Sequence, residues 1–323
     1  MNKYTLDQKT GVLLINLGTP DHPTYFSVMR FLREFLSDNK VIRLPKLLWY
    51  PLLYGFILPF RSRATSKKYR AIWTNEGSPL LLHSIHQVNL LKEKLDPMKF
   101  QVELGMRYGN PRLQDALQKL NSPHINKIIV IPLFPQYSSS TTGTCFKAVT
   151  KTLSKWMYIP EIHFIHQFCS NDNYIQAMTD QISSHPDFNS KNYTLFSYHG
   201  LPSSFLDEGD PYYCFCCKTT RLITEKLKID KDKFETCFQS RFGYNSWLKP
   251  YATERITALA KSGYKNINIV CPSFVSDCLE TNEEIALELK QLFMKNGGEQ
   301  FNVIRSLNQH EKFIGMLKKY TEK

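Results

Sequence analysis

Two turns and one cysteine-rich segment carry the side chains best suited to chemistry. His199 directly follows the apolar run at residues 194–198, and Gly200 and Pro202 come just after it. An imidazole held at the end of a strand on a stiff turn can take up a proton or bind a metal ion near neutral pH. A single histidine in a turn can also be purely structural, so the residue type alone leaves both roles open.

A row of carboxylates begins at Glu280, after the apolar run at residues 267–271. Glu280 and Glu284 are four residues apart, with Glu283 between them, and a helix would bring this pair onto one face. Acidic residues are favoured in the first turn of a helix by its dipole, so a solvated surface explains the row equally well. The functional interpretation is a carboxylate row that accepts protons or guides a cation.

The chain has eight cysteines, and four of them fall within 24 residues. These four are Cys214, Cys216, Cys217 and Cys237. Four thiolates are the usual ligand set of an iron–sulfur cluster and equally of a tetrahedral zinc site, and free thiols are the third interpretation. Cys271 and Cys278 are alternatives to Cys237 as the fourth ligand, whereas Cys145 and Cys169 are predicted to be small buried apolar residues.

The composition narrows the class of partner. A net charge of +12 favours a nucleic acid, a lipid surface or a carboxylated small molecule. No helix-turn-helix, RRM or zinc-finger pattern is present, so a nucleic-acid partner is not predicted. The first apolar run reads as a strand rather than a signal sequence, which predicts a cytoplasmic protein with reduced thiols.

Residues 40–75 concentrate positive charge around the most apolar stretch of the chain. They include eight basic residues and no acidic one, and the stretch at 47–60 lies among them. This stretch has 14 residues and two prolines, whereas a membrane-spanning helix needs about 20 apolar residues. It is either a buried core segment or an exposed lip suited to a membrane surface or to an apolar, anionic ligand.

Short apolar runs alternate with amphipathic stretches, which predicts an α/β fold with mainly parallel sheets. Strands are predicted at 11–17, 100–106, 127–132, 162–166, 194–198, 236–240, 267–271 and 301–304. Helices are predicted at 26–37, 83–95, 111–120, 171–183, 218–227, 251–262, 280–295 and 309–320.

A faint internal duplication predicts two similar halves. IVIPLFPQYSSSTTG at 129–143 parallels IVCPSFVSDCLET at 269–281 in its strand, its Pro-x-Phe and its polar turn. We therefore expect Rossmann-like domains at 1–160 and 161–323, with His199 and Glu280 in the second and a final helix that packs back on the first. Because ligands bind at the carboxyl ends of strands in open α/β sheets, these turns should line a cleft between the domains.

Eight motifs, taken together and in this order, resemble the ferrochelatase family, which inserts ferrous iron into a porphyrin in the last steps of haem synthesis. The similarity is greatest to its proteobacterial branch. The motifs are LLINLGTPD (13–21), FLREFLSD (31–38), EGSPLLLHS (76–84), GMRYGNP (105–111), PLFPQYSSSTTG (132–143), SYHGLP (197–202), FQSRFG (238–243) and SFVSDCLET (273–281). The resemblance implies a chelatase-type fold of two α/β domains and a lyase that forms nitrogen–metal bonds.

The resemblance also implies roles for particular residues. His199 and Glu280 would be the catalytic and metal-binding pair, with Glu284 as a further metal-binding carboxylate. The implied porphyrin-binding residues are Leu17, Arg61, Tyr69, Tyr137 and Ser138. Residues 40–70 would form the lip over the cleft.

The implied reaction converts protoporphyrin IX and Fe²⁺ to haem with release of two protons. The alternatives are a chelatase for coproporphyrin III or another tetrapyrrole, and a non-catalytic haem or iron–sulfur binding protein. The implied location is the cytoplasm, with peripheral contact with the inner membrane, and both monomer and homodimer stay open.

The resemblance favours a [2Fe–2S] cluster over zinc at the four clustered cysteines. Some family members hold such a cluster through C-terminal cysteines, to which this sequence shows no counterpart, and Ser139 stands where those members have a cysteine. Other bacterial members use an internal cysteine cluster, which the segment at 214–237 resembles.

Overall fold

The computed structural model describes residues 8–243 and 246–322, which form two compact units. The first unit extends to Gln167 and also includes the chain from Ile314 onward, and the second spans Phe168–Phe313. Each unit contains one four-stranded sheet whose paired strands are all parallel. The predicted class of two similar Rossmann-like α/β units is confirmed.

The first unit is built around the sheet order β2-β1-β3-β4. Its strands are β1 (Lys9–Asn16), β2 (Phe100–Met106), β3 (Ile125–Pro132) and β4 (Glu161–Phe164). Its helices are α1 (Tyr25–Leu36), α2 (Lys46–Leu52), π1 (Leu53–Ile57), α3 (Leu58–Ile72), α4 (Pro79–Glu93), α5 (Leu113–Leu120) and α6 (Thr142–Leu153). The central strands β1 and β3 are continuous apolar runs because helices cover both of their faces.

The second unit has the equivalent order β6-β5-β7-β8. Its strands are β5 (Tyr193–His199), β6 (Phe234–Gln239), β7 (Asn266–Val270) and β8 (Gln300–Ile304). The helices from here on are α7 (Asp172–Ser183), α8 (Ser203–Asp207), α9 (Tyr212–Leu227), α10 (Ala252–Lys261), π2 (Glu280–Leu289), α11 (Lys290–Lys295) and α12 (Glu311–Thr321). The duplicated motifs follow β3 and β7, which hold the same position in their sheets.

The predicted strands and helices agree with the structure apart from a few bounds and one helix type, but the helices α2, π1, α3, α6 and α8 were not predicted. The predicted domain boundary at 160/161 precedes β4, whereas β4 pairs with β3 in the first sheet. Helix α9 begins at Tyr212 and therefore includes the cysteines at 214, 216 and 217. The helix predicted from residue 280 starts as a π-helix of ten residues and becomes α-helical only at Lys290.

The apolar stretch at 47–60 is helical, and most of its apolar side chains face solvent. Leu47 is 87% exposed and Phe60 is 73% exposed, while Trp49, Leu53 and Leu58 are buried and anchor the segment. Of the two interpretations of this stretch, the structure favours the exposed apolar lip. Among the described residues, no helix is both long and apolar enough to cross a bilayer.

Candidate active site

His199 lies on one face of the second sheet, at the edge where the strands have their carboxyl ends. Side chains alternate along a strand, so Leu195, Ser197 and His199 of β5 share a face. Leu195 packs in a buried core with Ile256 of α10 and Ile285 of π2, which identifies this face as the one covered by these two helices. His199 is the last residue of the strand and is half-buried.

The backbone fixes the tautomer of His199. Its Nδ1 atom lies 2.7 Å from the carbonyl oxygen of Gly200. Because a carbonyl oxygen can only accept, Nδ1 carries the hydrogen, and Nε2 of the neutral ring keeps its lone pair. Nε2 is therefore the atom that can take up a proton or bind a cation.

Gln239 links the strand that carries His199 to the carboxylate row. It pairs with His199 in the register between β5 and β6, and its backbone carbonyl accepts a hydrogen bond of 2.8 Å from the amide of Gly200. Its side-chain oxygen accepts from the Ser197 hydroxyl at 2.7 Å, and its amide nitrogen donates to Glu284 Oε2 at 3.4 Å. The orientation of the Gln239 side chain is thus fixed at both ends.

Ser240 holds the Glu284 carboxylate with two further donors. Its backbone amide donates to Glu284 Oε1 at 2.7 Å, and its hydroxyl donates to Oε2. Ser240 has a φ of +64°, in the left-handed region that residues with a side chain seldom adopt. Such conformations persist where the surroundings enforce them, often at functional sites. Here the conformation turns the amide and the hydroxyl of one residue towards one carboxylate.

Glu280 begins π2, so the helix predicted over 280–295 is present but its first ten residues are a π-helix rather than an α-helix. The i,i+4 spacing of the carboxylates fits both helix types, but π-helices close their turns with i→i+5 hydrogen bonds and occur frequently at functional sites. Glu280 and Glu284 are half-buried, and both are reached by Gln239, whose amide nitrogen lies 3.5 Å from the Glu280 carbonyl oxygen.

The buried thiol of Cys278 lies beside Glu280. Burial raises the pKa of Cys278 well above its ordinary value, and the charge of Glu280 and a hydrogen bond to its carboxylate raise it further. Cys278 is therefore a thiol that donates to Glu280.

No group of three or more His, Cys, Asp or Glu side chains in the described parts of the chain is arranged to hold a metal ion, and His199, Glu280 and Glu284 form no such group. The second unit nevertheless supplies an imidazole with a free Nε2 and two partly exposed carboxylates. Such groups can remove protons from a substrate and can bind a divalent cation.

The five residues predicted to bind porphyrin all lie in the first unit. Leu17 follows β1 and is half-buried, and its carbonyl oxygen accepts a hydrogen bond of 2.9 Å from the amide of Tyr108. Tyr69 of α3 is buried against Trp73, with ring centroids 6.0 Å apart, and Arg61 is half-buried on the same helix. Ser138 is buried, and its hydroxyl lies 3.0 Å from that of Ser140.

Tyr137 lines a cavity of about 370 Å³ in the first unit. Its other lining side chains include Lys40, Lys147, His166, Phe146 and Phe164. Leu17, Arg61, Tyr69 and Ser138 are not among the lining residues of this cavity. Of the five predicted porphyrin-binding residues, only Tyr137 lines this cavity.

The second sheet separates the four cysteines predicted as cluster ligands. Thr236 and Phe238 of β6 contact α9: the Thr236 hydroxyl donates to Thr220 at 2.9 Å, and the Phe238 ring stacks on Tyr213. Cys237 lies between these two residues in the strand and points to the opposite face, where it packs against α10. Cys237 therefore cannot complete a ligand set with the cysteines of α9.

Helix geometry also divides the three cysteines of α9. At about 100° per residue, Cys216 lies about 160° around the helix from Cys214. Cys216 is buried and Cys214 is exposed. Ser139, at the position where some relatives were expected to have a cysteine, receives a hydrogen bond of 3.3 Å from Lys40. The described residues therefore do not fit the predicted [2Fe–2S] cluster.

Sequence analysis missed Gln239, Ser240 and Ser197 as parts of the site. Gln239 and Ser240 belong to the motif at 238–243 and Ser197 to the motif at 197–202, and both motifs indicate the family without assigning these residues a role. Gln239 and Ser240 lie at the carboxyl end of a strand, as His199 and the 272–281 turn do. The rule that ligands bind at the carboxyl ends of strands could have identified them.

The fold is similar to that of solved chelatase structures. A solved structure described as SirB from Bacillus subtilis with Fe³⁺ matches with a TM-score of 0.59 and 11% identity, over 98% of this chain and 95% of that one. A second, described as the sirohydrochlorin chelatase SirB from Bacillus subtilis subspecies spizizenii in complex with cobalt, gives a TM-score of 0.57 and 9% identity, over 98% and 94%.

Sequence comparison identifies the family within this class. The Ferrochelatase family model matches residues 9–323. Ferrochelatase 2 of Shewanella oneidensis is 46% identical over 96% of this chain and 95% of its own length, and ferrochelatase of Shewanella denitrificans is 45% identical over 97% of each. The chain belongs to the ferrochelatase family, which confirms the predicted resemblance and makes it a metal-inserting chelatase of the lyase class.

Proposed function

We propose that the chain inserts Fe²⁺ into protoporphyrin IX in haem synthesis, with release of two protons. The observation that carries this proposal is the fixed tautomer of His199 on the sheet face covered by π2, the helix that bears Glu280 and Glu284. Both pyrrole N–H protons of the porphyrin must leave as the cation enters, so the reaction needs a base and a route for a cation.

His199 is the proposed base, because its Nδ1–H is bound by the Gly200 carbonyl and its Nε2 is free to accept a pyrrole proton. Glu280 is the proposed partner carboxylate, and Glu284 extends the row along which Fe²⁺ or a proton moves. Imidazole and carboxylate groups both bind ferrous iron. Here the ion is a substrate, so these groups must also release it to the porphyrin. Leu17, Arg61, Tyr69, Tyr137 and Ser138 are the proposed porphyrin-binding residues.

The proposal is tested with His199→Ala in an anaerobic assay with Fe²⁺ and protoporphyrin IX. We expect metal insertion to fall by at least about 10²-fold, the usual contribution of a general base. Porphyrin binding, followed by quenching of porphyrin fluorescence, should be retained. His185→Ala, a half-buried histidine in the same unit, is the matched control. Normal turnover by the His199 variant would refute the role assigned to His199. Wild-type protein that is inactive on protoporphyrin IX but active on coproporphyrin III would show that coproporphyrin III is the substrate.

We further propose that the lip at residues 40–70 makes peripheral contact with a lipid surface, with the protein otherwise in the cytoplasm. Support comes from the exposed apolar side chains of α2, π1 and α3, which are flanked by exposed basic residues. An apolar surface ringed by positive charge is the combination that binds anionic membrane interfaces.

A further inference from the structure

The first turns of α9 carry a Cys-x-x-Cys sequence, Cys214-Phe-Cys-Cys217. Cys214 is exposed and Cys217 is half-buried. In a reducing compartment, such a pair near a strand–helix unit is typical of thiol–disulfide exchange. We propose that Cys214 and Cys217 form a reversible intramolecular disulfide at the start of α9.

Helix geometry selects this pair among the three cysteines of α9. Residues three apart in an α-helix have Cα atoms about 5 Å apart, from a rise of about 1.5 Å per residue and a radius of about 2.3 Å. Disulfides span Cα distances of about 4.4–6.8 Å, so the Cα spacing of Cys214 and Cys217 suits a disulfide. Their Cβ atoms, about 5–6 Å apart in a regular helix, must approach to about 3.5–4.5 Å, so closure of the bond requires a local adjustment at the start of α9. Their side chains are also neighbours on one face of the helix, and the charge of Cys214 acts on Cys217 directly.

Cys216 is excluded from this pair by its direction. It lies on the far side of the helix from Cys214 and is fully buried. Tyr212 and Cys169 are among the groups that act on its thiol. Burial raises the pKa of Cys216 well above its ordinary value, which keeps the thiol protonated and unreactive.

The two thiols have the unequal exposure that stepwise exchange requires. Exposed Cys214 meets a small disulfide first, and its thiolate attacks one sulfur, forms a mixed disulfide and releases one small thiol. Cys217 then attacks Sγ of Cys214 and releases the second small thiol. Overall, two protein thiols are oxidised to one disulfide, and one low-molecular-weight disulfide is reduced to two thiols.

Tyr213 assists the second step. Burial raises the pKa of Cys217, and a hydrogen bond from the Tyr213 side chain opposes this effect by stabilising the thiolate. The Tyr213 ring stacks on Phe238 with centroids 5.7 Å apart, and Phe238 precedes Gln239. Oxidation of Cys217 therefore removes a hydrogen-bond partner from a ring that contacts the end of β6.

The test exposes the full chain to glutathione buffers stepped from reduced to oxidised, followed by denaturing alkylation and mass spectrometry. We expect two of the eight thiols to escape alkylation. The peptide that contains both Cys214 and Cys217 should be lighter by two hydrogens, with the bond between these two residues. Reduction should restore both thiols. Cys217→Ser should instead retain glutathione on Cys214, and Cys216→Ser, the matched control, should oxidise as the wild type does.

Three results would overturn the proposal. One is a stable mixed disulfide on Cys214 of the wild type without closure by Cys217. Another is a bridge between Cys216 and Cys169 instead. The third is protection of Cys214 and Cys217 by a bound metal or cluster, seen as added mass in the native protein. The experiment uses no porphyrin, so its result is independent of the proposed function.

Discussion

At the scale of single residues, the carboxylate of Glu284 is held in a fixed orientation by its neighbours. Three donors from two consecutive residues, Gln239 and Ser240, fix its two oxygens. A carboxylate that accepts such hydrogen bonds loses little entropy when a cation arrives, because its orientation is already set. The proposed role of Glu284 is therefore to receive Fe²⁺ rather than to contact the porphyrin.

Glu284→Gln should raise the KM for Fe²⁺ and leave porphyrin binding unchanged. The substitution keeps the shape but removes the negative charge that attracts the cation, so we expect an increase of about tenfold, which corresponds to a loss of about 1.4 kcal/mol of binding free energy. Steady-state assays with varied Fe²⁺ and separate fluorescence titration of porphyrin measure the two effects. Glu288→Gln, on the exposed side of the same helix, is the control. An unchanged KM for Fe²⁺, or equal losses in both measurements, would contradict this role.

At the scale of secondary-structure elements, the turn after β1 depends on a glycine. Gly18 has a φ of +110°, and a Cβ atom there would lie 1.7 Å from the backbone oxygen of Tyr108. The amide of Tyr108 in turn donates to the Leu17 carbonyl oxygen. The turn after β1 is thus in backbone contact with the segment after β2, and neither can move far without the other.

Gly18→Ala should destabilise the protein strongly, while Gly315→Ala should stabilise it. The first adds backbone strain of about 1–3 kcal/mol and a clash with Tyr108. The second meets open space within α12, where glycine costs about 0.5–1 kcal/mol relative to alanine. Thermal unfolding of both variants beside the wild type measures the difference. Equal melting temperatures for the two variants would show that the turn tolerates a side chain.

The elements were largely predictable from sequence, and the exceptions have physical causes. Continuous apolar runs such as β3 identify buried parallel strands without other information. The π-helix at Glu280 was not predictable, because carboxylates four apart fit an α-helix as well. The direction of Cys237 was not predictable either, since helices cover both faces of β6 and the strand alone does not reveal which one α9 covers. Gln239 could have been predicted as a site residue, because ligands bind at the carboxyl ends of strands in open α/β sheets. Its hydrogen bond to Glu284 could not, because that contact depends on tertiary structure.

At the scale of the whole molecule, charge and apolar surface coincide at the lip. The chain carries a net charge of +12, and residues 40–75 contain eight basic residues and no acidic one. Long-range attraction to an anionic surface is screened by salt within about 10 Å at 0.1 M, whereas apolar burial is not. Membrane binding should therefore have a salt-dependent and a salt-independent component.

Leu47→Ser combined with Leu48→Ser should weaken binding to vesicles of phosphatidylcholine with anionic phosphatidylglycerol by at least tenfold. Burial of a leucine contributes about 1.5–3 kcal/mol, and both side chains are mostly exposed in the free protein. Co-sedimentation at low and high salt separates the two components. Met157→Ser removes a still more exposed apolar side chain outside the lip and serves as the control. Equal sedimentation of the double variant and the wild type would exclude the lip as the contact.

The repeated strand order has a consequence for how such a chain diversifies. Two sheets with equivalent orders are what duplication and fusion of one ancestral gene produce. After such an event one copy is free to drift while the other retains the ancestral activity. In this chain the copy with β5–β8 carries the imidazole and the carboxylates, whereas the equivalent edge after β3 carries serines and a tyrosine. With the proposed residue roles, the groups that bind the porphyrin and those that move protons and the cation belong to different copies, so a substitution in one copy need not disable the other.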